Sequence, residues 1–214
     1  VTLFAKYTLR ADEMFLNRMI GGTFEGSNDP DFREKEVLYL INEKPKRLQT
    51  VVQSYSSKSY RYVRYIGPKD SHCNIAEAAF YTPNDTASLK GKVIGTPGCF
   101  QKDGSHEYTN VFDGDVTTSF DYIEPSGGWS GLDLGTPKQI GRIVYTPRSY
   151  DNYIRSGDDY ELFYCARRNN WKSLGDQRSK ADSLIYIKIP VNALLLLCNN
   201  TRGIQERIFV YTAA

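Results

Sequence analysis

Apolar and polar residues alternate along most of this chain in short runs, with turn-forming residues between them. YRYVRYI (60–66), IAEAAFY (75–81) and RIVYTP (142–147) each put every second side chain on one face. That period of two is the pattern of a half-buried strand. The same reading predicts strands over 2–9, 18–24, 36–41, 48–53, 60–66, 75–81, 129–134, 140–145, 159–164, 184–189, 193–198 and 207–211. No segment carries the 3.6-residue period of an amphipathic helix. Many short strands at this spacing predict an all-β chain of β-sandwich type. Sixteen tyrosines and ten phenylalanines among 214 residues suit a pleated, half-buried surface.

The chain also repeats itself. YTLR (7–10) recurs as YTPR (145–148), each followed by a polar loop with an aromatic and an arginine: Phe15 and Arg18, then Tyr153 and Arg155. A glycine and an aromatic–Glu pair come next: Gly22 with Phe24 and Glu25, then Gly157 with Tyr160 and Glu161. Both copies close on Ile-x-Glu-x-x-Phe, at Ile75, Glu77 and Phe80 and at Ile204, Glu206 and Phe209. Residues 1–82 therefore read as a second copy of 138–212. The copies are unequal, because about fifty residues, including DGD (113–115), precede YTPR and only six precede YTLR. The expected organisation is a partial β-sandwich over 1–85 lacking its front half, a linker over 86–98 and a complete β-sandwich over 99–214. The chain starts with Val rather than Met. It is read as a piece of a longer protein, with an upstream domain of the same polypeptide as neighbour.

Composition narrows the function. A net charge of +2 argues against a nucleic-acid partner. The longest apolar run, ALLLLC (193–198), is far below the ~20 residues of a membrane-spanning helix. Cys73, Cys99, Cys165 and Cys198 form no CxxC pair, which disfavours a zinc ribbon. Two readings stand for them: free buried thiols, or a Cys165–Cys198 disulfide if neighbouring strands carry both. His72 and Cys73 are adjacent, but neighbours on an extended chain point to opposite faces and cannot readily exchange a proton. With no P-loop, GxSxG or HExxH motif, the chain is expected not to be an enzyme.

Taken in order, NVFDGDVTTSFD (110–121), GWSGLDLG (128–135), IGRIVYTPR (140–148), GDDYELFY (157–164) and NNTRGIQERIFVY (199–211) resemble the discoidin family, the coagulation factor 5/8 type C domain. RMIGGTFEGSND (18–29) and residues 60–81 resemble the back half of the same module. The resemblance implies a galactose-binding-like jelly roll whose end loops bind ligand. Its tandem style resembles secreted or surface proteins of gut Bacteroidetes, which implies an extracellular, cell-surface or periplasmic location.

Two sites follow. Asp113, Asp115 and Thr118 bring three side-chain oxygens round a tight turn, and calcium takes six to eight such ligands. A solvated turn in which Asp113 and Thr118 bond local amides is the competing reading. The resemblance implies a structural Ca2+ completed by a glutamate of the last strand, here Glu206. The second site is the loop 145–157. Sugars offer an apolar face and a fan of hydroxyls, so an aromatic platform beside planar polar groups suits them. Arg148, Tyr150, Asn152 and Tyr153 supply that combination. In sugar-binding members of the family, the YxPR arginine contacts sugar hydroxyls with a nearby asparagine, which implies a role for Arg148 and Asn152. The alternative is that Arg148 stacks on a tyrosine or pairs with Asp151 or Asp158. A loop histidine often joins the family's site, yet neither His72 nor His106 falls in register. Before the last strand, NNTRG (199–203) lacks an aromatic, and Arg202 and Asn200 stand in as polar contacts. Trp129 is expected to plug the core or its rim, and Trp171 to anchor a hairpin after Tyr164. The expected function is a non-catalytic, calcium-stiffened pair of carbohydrate-binding modules. The alternative is a spacer or protein-interaction domain packed on a catalytic neighbour.

Overall fold

The computed structural model describes residues 3–6, 13–149, 153–166 and 170–210, and for 3–6 and 204–208 the backbone alone. Its strands are β1 (Leu3–Lys6), β2 (Thr23–Ser27), β3 (Lys35–Leu40), β4 (Thr50–Gln53), β5 (Ser59–Ile66), β6 (Ile75–Tyr81) and β7 (Lys92–Gly95). They continue with β8 (Trp129–Gln139), β9 (Arg142–Pro147), β10 (Asp159–Cys165), β11 (Trp171–Arg178), β12 (Ser183–Tyr186), β13 (Leu194–Asn199) and β14 (Ile204–Val210). One short helix, α1 (Glu13–Asn17), follows β1. The chain is all-β and antiparallel, as its period-two patterning predicts.

Two compact units form, one from 10–149 and one from 1–9 with 150–214. In the first, a five-stranded sheet in the order β3-β2-β5-β8-β7 faces a three-stranded sheet, β4-β9-β6. Phe24, Leu38, Val63, Tyr65 and Leu132 point inward from the larger sheet and meet Ala78, Phe80, Ile143 and Tyr145 from the smaller. The Phe24 ring lies at the centre, with centroids 5.1 Å from Tyr65, 6.0 Å from Phe80 and 5.4 Å from Tyr145. Burying such side chains contributes about 1.5–3 kcal/mol each, and this layer is what holds the sandwich closed. Gly131 shows why β8 reads WSGLDLG: a Cβ there would sit 2.3 Å from the Val63 carbonyl oxygen, so a larger residue would push β8 off β5.

The second unit has a four-stranded sheet, β11-β10-β13-β14, and a two-stranded ribbon, β1-β12. Tyr160, Leu162, Leu184, Tyr186, Leu195 and Leu197 form its core. The sequence repeat reappears in the pairing. Between β3 and β5 lies β2, as β10 lies between β11 and β13. Likewise β9 pairs β4 as β1 pairs β12.

The units do not run as 1–85, 86–98 and 99–214. The front-half segment pairs with the back half that precedes it, with Leu132 opposite Val63 and Ser130 opposite Tyr65. Nor is 86–98 a plain linker, since it contains β7, whose Val93 lies opposite Leu132. The strand expected at 18–24 begins only at Thr23, because α1 and a turn occupy 13–21. β11 was not expected. Cys165 and Cys198 do lie on neighbouring strands, but Cys198 pairs opposite Glu161, four residues from Cys165, and no disulfide joins them.

Candidate functional site

The DGD turn follows a 3-10 turn over Tyr108–Phe112 in the 10–149 unit. Gly114 has φ 85 and nothing within 4 Å of an added Cβ, so backbone conformation rather than space demands glycine. The side chains fold back on the loop. Asp113 Oδ1 accepts the Asp115 N–H at 2.7 Å, and Asp113 Oδ2 accepts the Thr118 hydroxyl at 2.8 Å. Asp115 Oδ1 accepts the Thr117 N–H at 2.9 Å. These are the local bonds of a capped turn.

One partner comes from far along the chain. Glu77, on β6, accepts the Gly114 N–H through Oε1 at 2.8 Å. Burial and the neighbouring Asp113 carboxyl push its pKa up to about 8. Glu206, the glutamate expected to complete the set, belongs to the other compact unit, and its side chain lies outside the described residues. Glu77 is its counterpart in the repeat. The turn therefore meets the glutamate of the copy with which its own segment folds. No group of three or more His, Cys, Asp or Glu side chains with metal-holding geometry occurs among the described residues.

At the loops joining β5 to β6 and preceding β8, four polar side chains connect in series. Arg18 Nη1 donates to Asn74 Oδ1 at 2.6 Å, and Asn74 Nδ2 donates to Asp121 Oδ1 at 2.7 Å. Asp121 Oδ2 in turn takes the Arg148 Nη1–H. Arg148 is buried and its guanidinium carbon lies 4.9 Å from the Phe15 ring centroid. So it pairs with Asp121 and stacks on a phenylalanine, while Asp151, one of the partners weighed for it, lies outside the described residues. Arg18 is half-buried and is the member nearest solvent.

Both histidines border the same segment. His72 Nδ1 lies 3.0 Å from the Tyr122 carbonyl oxygen, and His106 Nδ1 lies 3.3 Å from Ser119 Oγ. His72 and Cys73 have φ 55 and 51, so the extended geometry assumed from sequence does not hold. Cys73 is buried, and burial pushes its thiol up to about 12, which disfavours the thiolate form.

The other expected ligand residues fall elsewhere. Tyr150 and Asn152 lie outside the described residues. Tyr153 and Arg202 belong to the 150–214 unit. There Tyr153 is buried, with the Arg155 guanidinium 4.3 Å from its ring centroid. Arg202 Nε donates to Asp158 Oδ2 at 2.7 Å, beside Asn199 Nδ2 at 2.8 Å. Burial alone would raise the Asp158 carboxyl, but these two donors outweigh it and hold it below the usual carboxylate range. Trp129 is half-buried on the outer face of the larger sheet, its ring centroid 5.8 Å from Phe32, rather than plugging the core or its rim, and Trp171 opens β11 opposite Cys165.

Sequence reasoning missed Arg18, Asn74 and Asp121. Their separation in the chain hides them, and only the Asn in SHCN and the Asp ending TTSFD hinted at polar groups on loop ends. Among the described residues, no helix is long and apolar enough to cross a membrane. Compared with protein-family models, curated proteins and solved structures, the chain matches none.

Proposed function

We propose that the chain is a carbohydrate-binding module of the discoidin type, without catalysis, working at a cell surface or outside it, and that the loop end around Arg148 receives the glycan. One observation carries this: Arg18, Asn74, Asp121 and Arg148 form a continuous row of planar polar groups beside Phe15. Planar donors and acceptors held rigidly by one another suit the hydroxyls of a sugar, with binding energy not lost to ordering flexible chains. Arg18 offers the outermost guanidinium, and His72 and His106 flank the loop. Single modules of this kind bind weakly, so avidity comes from repetition.

Calcium belongs to the same reading. The donor set is all oxygen, and Glu77 and Asp113 crowd two carboxyls together in a partly buried place, which a divalent cation would relieve. Asp113, Asp115, Thr118 and Glu77 are the residues that would hold it, stiffening the turn between the front-half loop and β6.

Titration with methyl galactosides and a glycan array tests the reading. Binding is expected, with Arg18→Ala weakening it at least tenfold while the protein stays folded, its unfolding midpoint lowered only by the lost bond to buried Asn74. Silence across plant, mucin and host glycans from folded, calcium-loaded protein would reject it. The alternative, a spacer or protein-interaction domain, is favoured by Ile185, Ile187 and Val210, which are each more than half exposed in the 150–214 unit. It predicts self-association or binding of a neighbouring domain that Ile187→Lys abolishes, read by sedimentation velocity.

A further inference from the structure

The flank of the 10–149 sandwich carries a cleft that the glycan reading above does not use. β3 is the edge of the larger sheet and β4 the edge of the smaller, and the connection 41–49 spans the gap between them. The space enclosed is about 320 Å3 and is walled by Tyr39 of β3, Tyr145 of β9, Thr50 of β4 and Arg47 of the connection. That volume, at the low end of ligand sites, admits one or two sugar rings.

Three features of the walls point to one kind of ligand. The first is aromatic. Tyr39 is half-buried, and the exposed Tyr55 lies against it at a tilt of 44° with ring centroids 5.4 Å apart, giving an apolar aromatic wall next to phenolic hydroxyls. The second is a hydroxyl pair. Thr50 Oγ1 lies beside the Tyr145 phenol in the cleft wall, with no hydrogen bond of full geometry to it, so a polar group of a ligand can share the two. The third is charge. Lys44 is held by Glu13 at 2.7 Å and Lys46 lies 3.8 Å from Glu43, whereas the exposed Arg47 makes no ion pair or hydrogen bond among the described residues. The cleft thus holds one guanidinium in excess, and guanidinium matches a carboxylate with two parallel hydrogen bonds.

We propose that this cleft binds an acidic sugar residue, its carboxylate on Arg47, its ring on the Tyr39 surface and a ring hydroxyl on Thr50 Oγ1. The site is separate from the loop end around Arg148, so a module of this design takes up two different units of one polysaccharide. A neutral sugar would leave Arg47 without a counter-charge, and a simple anion would leave the tyrosines and Thr50 unused.

The test is an NMR titration of the full chain with sodium D-glucuronate at constant ionic strength. D-glucose, sodium acetate and sodium sulfate serve as comparisons. Saturable shifts are expected in amides of 39–51, with millimolar affinity, and with glucose and acetate each at least tenfold weaker. Arg47 is exposed, so Arg47→Gln should leave the rest of the spectrum in place and weaken glucuronate at least tenfold. Thr50→Val, which keeps volume and removes the hydroxyl, should weaken it severalfold. Arg18→Ala should leave glucuronate binding intact, which separates this site from the proposed galactoside site. Any of four results overturns the proposal: no saturable shift in 39–51, equal binding of acetate or sulfate and glucuronate, full binding by Arg47→Gln, or loss of glucuronate binding in Arg18→Ala.

Discussion

Replacing Arg64 by methionine tests how the outer face of the larger sheet is held. Arg64 projects from β5 and donates to Glu25 of β2 through Nε at 2.8 Å, with Nη2 at 2.7 Å from the same Oε2. Lys35 takes the other oxygen at 2.9 Å. The side chains of Glu25 and Arg64 are only 5% and 10% exposed, while that of Lys35 is 42% exposed. Phe32 folds over the pair, its ring centroid 4.0 Å from the Arg64 guanidinium carbon, with that of Trp129 at 5.2 Å. Methionine keeps the apolar stem but strands the buried Oε2. Breaking one side of a buried pair costs about 3–5 kcal/mol, and the retained Lys35 puts this case near the lower end. Loss of the cation–π contact adds about 1 kcal/mol, for a total of roughly 3–4 kcal/mol. Removing both charges, in Glu25→Leu/Arg64→Met, should return to within about 1–2 kcal/mol of the parent, because a matched apolar pair needs no desolvated charge.

Urea unfolding reads the result without screening the charges. The chain has two tryptophans, so a Trp171→Phe background leaves Trp129, beside Arg64, as reporter of the 10–149 unit alone. A single-variant loss under about 1 kcal/mol would refute the idea that the pair is buried and mutually dependent. So would a double variant whose loss equals the sum of the two singles.

Other outcomes follow from the same geometry. In chelator, the Glu77 carboxyl at about 8 in the folded state lies above its unfolded value, so its protonated form favours folding. Its contribution is full below about pH 4.5 and is lost as pH rises through 8, by about 1–2 kcal/mol after allowing for solvent screening of a half-buried group. Glu77→Gln should flatten that slope in thermal unfolding from pH 5 to 8.5, and calcium should reverse it by favouring the ionised form. Gly114→Ala forces a Cβ into φ 85 and should cost about 1–2 kcal/mol by calorimetry. The same variant should weaken calcium binding measured by titration calorimetry. Phe24→Ala empties the centre of the sandwich and should cost about 3–5 kcal/mol in the same urea assay.

Strand content was legible because alternation is a local signal. Tyr60, Tyr62 and their neighbours show it within seven residues. β7 and β11 escaped because KVIG sits in a turn-rich stretch and WKSLGDQR is polar on both sides, being an edge strand with little to bury. α1 escaped because five residues are too few to display a helical period. At the candidate site, Asp113, Asp115 and Thr118 were legible as a turn since their bonds are local. Glu77 was mispaired with the rest because sequence shows that two glutamates hold equivalent repeat positions but not which sheet receives the front half. Asn74 and Asp121 were invisible for the same reason: their bond spans 47 residues.

The two copies also show that a strand's neighbour is set by what else competes for the edge. In the 10–149 unit, β8 lies along β5 with Leu132 opposite Val63, so β5 has no free edge and β6 joins β9 instead. In the other unit no β8-like strand accompanies β13 among the described residues, and β14, the repeat counterpart of β6, fills that edge with Leu196 opposite Ile208. An open row of backbone donors and acceptors beside an apolar face is costly, so the nearest strand satisfies it. Similar sequence thus gives two pairings because β8 takes the free edge of β5 in one unit, while among the described residues only β14 is there to take that of β13 in the other. Apolar positions of the front-half segment, Leu132 and Val111 among them, close the first core. In the second unit Ile185, Ile187 and Val210 are each more than half exposed, so its edge strands satisfy their backbone while leaving this apolar surface in water.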